Sequence, residues 1–115
     1  MRPDWKMRAR MALIISLKAQ NQDYVTIGEF MENKDAEAEG RLPYPRGWFP
    51  PKMGYNWSEP NLCRMRERGM KIGAENLFAP NSALRSLIAG ILNGQQVHKV
   101  DLQRVYAVAF PKVAT

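Results

Sequence analysis

Apolar residues recur on a helical period over several stretches of this chain. The clearest run is Leu84, Leu87, Ile88, Ile91 and Leu92, at i, i+3, i+4, i+7 and i+8, a continuous stripe along a 3.6-residue helix. Asn81 or Ser82 stands where an N-cap belongs, behind Pro80, and Gly94 stands where a chain leaves a helix. A helix is expected over 82–93, with the other helices packed round it. Residues 4–19 predict another: Asp4 can cap it, and Met7, Met11, Ile14 and Ile15 share a face with Leu17 close by. Arg8 and Arg10 are expected to point elsewhere, and Asn21-Gln22-Asp23 breaks the pattern.

The stretch Tyr24–Met31 reads two ways. Tyr-Val-Thr-Ile suits a short strand, whereas Thr26 followed by Glu29 forms a capping box that would start a helix at Ile27. The capping box favours a helix from Thr26 to about Lys34, extendable through Glu39 to a stop at Gly40. Ser58 can cap a helix with Pro60 in its first turn, where the missing N–H costs nothing. Leu62, Cys63 and Met65 would form its buried side and Arg64, Arg66, Glu67 and Arg68 its wet side, with Gly69 ending it. A short helix from Gly73 or Ala74 to Phe78 follows, burying Leu77 and Phe78. Near the end, Asp101 can cap a helix aligning Leu102, Val105, Tyr106, Ala109 and Phe110, with Pro111 as its stop. Residues 105–110 would also pass as a short buried strand.

The expected fold is mostly α, a small single-domain helical bundle over 1–115: a helical N-terminal segment, residues 1–40, a proline/aromatic loop 41–56 and a helical core 57–110. The loop carries prolines at 43, 45, 50 and 51, which deny helix. Among them stand Tyr44, Trp48, Phe49 and Tyr55 with Arg41, Arg46 and Lys52. Such an arm can meet phosphates and stack on bases, or dock in a partner groove as polyproline II, or lie pinned to its own domain by its aromatics.

Charge narrows the partner. The net charge of +6 favours an anion. It is uneven: residues 21–40 hold six acids and one lysine, residues 41–73 seven basic residues and two acids. The middle of the chain is where an anion would be met, unless it is simply a solvated basic face. One cysteine, Cys63, cannot form an internal disulfide and reads as a buried thiol of a reducing compartment. The longest N-terminal apolar run, Met11–Leu17, is seven residues, far short of the ~20 a bilayer needs. Basic residues ahead of it resemble the opening of a signal peptide or presequence, but no small-residue cleavage site follows. The expectation is a cytoplasmic protein with no membrane contact.

Enzymatic chemistry finds little support. His98 is the single histidine, so neither a histidine-rich metal cluster nor a supported Cys–His dyad can be assembled. Asp35, Glu37 and Glu39 lack a partner histidine, and Gly69–Gly73 has neither the Walker nor the dinucleotide-binding pattern. No enzyme activity, cofactor or metal is expected.

A Trp-Ser start at 57–58, a glycine at 69, the segment GAENLF and the opening SALRS at 82–86 together resemble a trihelical helix-turn-helix of the Myb/SANT type, found in small bacterial and phage regulators. The resemblance covers about a third of the chain. It implies a DNA-binding regulator whose third helix lies in the major groove. Ser82, Arg85 and Ser86 would then face base edges, while Arg64, Arg66, Arg68 and Lys71 meet phosphates; RNA is the related partner. The competing reading makes 82–93 a core helix. The protein is then an interaction module, such as a phage-type inhibitor or assembly subunit, that docks on an acidic protein.

Overall fold

A computed structural model of the chain describes residues 5–45, 57–73, 76–77, 85–86, 89–90 and 99–112. These residues are mostly helical and contain no strand. The helices with defined bounds are α1 (Trp5–Ala19), α2 (Tyr24–Glu39), α3 (Glu59–Ile72) and α4 (Lys99–Ala109). Residues 85, 86, 89 and 90 are also helical. The rest of the expected 82–93 helix, Leu87 and Ile88 included, lies outside the described residues, as do Asp4, Phe78 and 46–56.

Among the helices with defined bounds, α1 is the one that α2, α3 and α4 all contact. Its residues Ala9 to Ser16 are buried without interruption, so it is enclosed on every side and not along one stripe. Ala9 and Ala12 keep its surface narrow enough for close neighbours. Ser16 satisfies its hydroxyl by donating to the Ala12 carbonyl at 2.8 Å. The expected outward course of Arg8 and Arg10 is corrected. Arg8 donates to the carbonyls of Asn76 and Leu77 at 3.2 and 3.1 Å, and Arg10 is only 2 % exposed.

Local signals place the remaining boundaries. Asn21 takes the left-handed conformation (φ 63°) between α1 and α2, a region that asparagine tolerates better than most residues. The start of α2 is Tyr24, three residues before the expected Ile27, because Asp23 and not Thr26 is its cap. The Asp23 carboxylate accepts from the Thr26 N–H at 2.7 Å, where an anion also complements the helix dipole. Helix therefore wins over strand at Tyr24–Ile27. Gly40 closes α2 in the left-handed conformation, as its sequence position suggests.

Ser58 stands at the N-cap position of α3 with Pro60 in the first turn, as expected, although its side chain makes no capping hydrogen bond, and Gly69 does not end the helix. The helix runs to Ile72, with Gly73 as the C-cap, and Gly69 is buried against α1. A Cβ at 69 would lie 2.9 Å from Ile15 Cδ1 and 3.2 Å from Met11 Cβ, so this glycine serves helix–helix approach. Residues 105–109 belong to α4, which settles helix over strand there; Asp101 lies inside this helix and does not cap it. Pro111 follows its last turn.

The core joins α1 to Ile27 and Met31 of α2, Trp57, Leu62, Leu77, and Val105, Ala109 and Phe110 at the end of α4. Trp57 packs edge-on to Phe110 at 6.0 Å between ring centroids. Gly28 admits the Trp57 backbone: a Cβ there would stand 2.5 Å from the Trp57 carbonyl oxygen. Backbone cannot yield as a flexible side chain does. Gly28→Ala is expected to cost about 1–3 kcal/mol, read as a lower urea midpoint with an unchanged m-value.

Candidate anion-binding surface

The basic middle of the chain divides into two kinds of cation. Arg64, Arg68 and Lys71 recur at i, i+4 and i+7 on α3, so they share its solvent side, and all three are exposed. Arg64 hydrogen-bonds the neutral Asn61 amide oxygen. Among the described residues none of the three forms an ion pair with a carboxylate. Met70 is exposed on the same helix.

Arg66 stands apart from this row. A step of two residues carries it roughly 200° round the helix, towards α2. There it is half-buried, and its Nε is shut from solvent with no hydrogen-bond partner. It lies beside Tyr24 and Cys63: burial and the Cys63 thiol push the Tyr24 phenol pKa up, while Arg66 acts against them. Lys18 sits over the Tyr24 ring, 4.5 Å from its centroid. Cys63 is half-buried, not wholly inside as its type suggests.

The described arm residues are held by the domain itself. Arg41 meets Glu32 through two hydrogen bonds of 2.6 and 3.1 Å, Glu39 at 2.6 Å and Asp35 at 3.8 Å. Glu32 above all holds its guanidinium in the charged form. Glu32 also accepts from the Tyr44 N–H at 2.8 Å, and Arg41 lies over the Tyr44 ring at 4.8 Å. The charge of Arg41 is thus matched internally, and Tyr44 is tied beside it. Arg46, Trp48, Phe49, Lys52 and Ser82 lie outside the described residues. Arg85 is half-buried and Ser86 exposed.

Sequence reasoning missed the network to which Arg41 belongs. Arg10 donates from Nε to the Ala109 carbonyl at 2.8 Å, stands 3.7 Å from Asp35, and has its guanidinium over the Trp57 and Phe110 rings at 5.2 and 4.9 Å. Asp35 receives a hydrogen bond from the Trp57 side chain. One polar cluster therefore fixes Arg41 and Tyr44 before the loop and Trp57 after it. A signal was present: Glu32, Asp35 and Glu39 fall at i, i+3 and i+7, an acidic stripe on one face of α2.

Burial raises the Asp35 pKa most, and Glu39 adds to the rise, while Arg10, Trp57 and Arg41 oppose it; the net shift is upward. The folded state therefore holds this proton more firmly than the unfolded chain. The stability this contributes is full below the unfolded pKa and is lost as pH rises through the folded one. Urea midpoints of the wild type and Asp35→Asn are expected to show the wild type losing ground to the variant from about pH 4 upward. A difference independent of pH would contradict this.

Among the described residues no group of three histidine, cysteine, aspartate or glutamate side chains could hold a metal ion, and no helix is long and apolar enough to cross a membrane. No family model, curated protein or solved structure matches the chain.

Proposed function

We propose that this protein binds nucleic acid, laying the basic face of α3 along a phosphate backbone, with DNA as the first partner and RNA as the related one. The observation that carries this reading is the exposed row Arg64, Arg68 and Lys71, unmatched by any carboxylate among the described residues, beside interior guanidiniums that carboxylates, carbonyls and rings already engage. Over seven residues the row advances about 10 Å, and its long stems widen that reach to successive phosphates. Arg85 and Ser86, on helical backbone, with Ser82 before them, are the base-reading residues of this proposal, as the helix-turn-helix resemblance implies. Regulation of transcription is the corresponding role.

Anisotropy of a labelled random duplex over a salt series tests it. Arg64→Ala is expected to weaken binding alike on all sequences and to lower the salt slope by about one unit. Arg85→Ala, in contrast, is expected to relax preference at one base pair. Unchanged affinity in both variants would overturn the reading. A second reading, docking of this face on an acidic protein, draws on Met70, which is 53 % exposed and adds an apolar contact next to the charges.

A further inference from the structure

A second place on the molecule has the chemistry of a binding site, and it shares no residue with the α3 row. The second half of α2 and the helix α4 border a groove of about 410 Å³, within the range of ordinary ligand sites. Ala38, Ala107 and Phe110 give it an apolar lining. Phe110 is itself buried and backed by Trp57, so that stretch of the wall is rigid.

Lys34, Lys112 and Glu37 bring charge to this lining. The Lys34 ammonium lies over the Tyr106 ring at 4.6 Å and the Phe30 ring at 5.9 Å, and these two rings are themselves in tilted contact at 5.6 Å. The ring faces steady the cation but accept none of its N–H donors in the way a carboxylate would. Glu37 follows Lys34 by three residues on the same helix, yet no ion pair joins them among the described residues. The Tyr106 hydroxyl makes no hydrogen bond within the described residues, and burial keeps the phenol protonated as a donor. Two ammonium groups and a phenol thus line an apolar trough whose one carboxylate, Glu37, pairs with neither lysine among the described residues.

We infer that the α2–α4 groove is a docking site for an acidic segment of a protein partner, which seats one large apolar side chain against Phe110 and Ala107 and sets its carboxylates on Lys34 and Lys112. Charge complementarity selects the acidic occupant. A small free carboxylate can meet one lysine at a time, whereas a peptide segment can engage both lysines and the apolar wall together. This site stands apart from the nucleic-acid reading of α3 and survives its failure.

The test uses the full chain and a fluorescein-labelled probe peptide, Glu-Glu-Leu-Phe-Glu-Glu, followed by anisotropy. Binding is expected, and Lys34→Gln should weaken it about tenfold while Lys34→Arg retains most of it. Ala107→Phe, at an exposed helical position, should fill the trough and abolish binding with the circular-dichroism melt preserved. Arg64→Ala/Arg68→Ala should bind the probe as the wild type does. The proposal is overturned by absence of binding at millimolar protein, by indifference to both Lys34→Gln and Ala107→Phe, or by loss of binding in the α3 variant. Equal affinity for free 3-phenylpropanoate would overturn the choice of a peptide occupant.

Discussion

Arg10→Met is expected to cost the fold about 3–5 kcal/mol, the scale on which removing one partner of a buried pair destabilises a protein. Its guanidinium is 2 % exposed and acts at three places at once. It satisfies the Ala109 carbonyl at the end of α4, faces the Asp35 carboxylate on α2, and fills the space over Trp57 and Phe110. Methionine keeps much of the volume and loses everything else. Asp35 would remain buried with Arg41 as its remaining cation, 3.8 Å away at the rim. Urea unfolding measures the loss. In Arg10→Met/Asp35→Asn the loss should fall well short of the sum of the single variants, because the two residues share one interaction. Strict additivity would show that the pair is not coupled.

Ile14→Ala is the second large effect, expected at about 2–5 kcal/mol with a fall in Tm of roughly ten degrees or more. Ile14 is fully buried in the middle of a helix that three others cover, so little can collapse into the cavity. Val25→Ala on exposed α2 surface should stay within about 0.5 kcal/mol and serves as the control. A neutral Ile14→Ala would show that α1 is not the centre of the packing.

These two residues also show how far the sequence can be read. Helices announced themselves wherever apolar spacing agreed with a cap or a stop, as at Ser58–Pro60, Gly40 and Pro111. The full enclosure of α1 did not: spacing showed one face, Met7, Met11, Ile14 and Ile15, but not the burial of every residue from Ala9 to Ser16. Arg10 was expected to point away from the apolar face because its burial depends on partners distant in sequence, Ala109 being 99 positions away. Gly69 read as a terminator because glycine often ends helices; here the same lack of a side chain serves contact with Met11 and Ile15. In the same way Thr26–Glu29 matched a capping box, but Asp23 offered a charged acceptor earlier in the chain.

The candidate site was legible to a similar degree. Spacing alone puts Arg64, Arg68 and Lys71 on one face, and the structure exposes all three. Arg66 was expected with them on the wet side, but two residues of helix carry it round to the other face, where it is half-buried. Arg41 looked like a free cation of the arm because its matching acids, Glu32, Asp35 and Glu39, come from the preceding helix, where they had no evident partner. Long-range pairing of this kind leaves no periodic trace.

Whether the α3 row meets phosphates is decided by the salt dependence of binding. Anisotropy of a labelled duplex is recorded from low to moderate salt for the wild type and for Arg64→Ala/Arg68→Ala/Lys71→Ala. All three positions are exposed, so the variant should keep its helical signal and melting temperature. Wild-type binding is expected to weaken steeply with salt, and the variant slope to be shallower by about three units. Equal affinity and equal slope in the two proteins would contradict phosphate contact by α3.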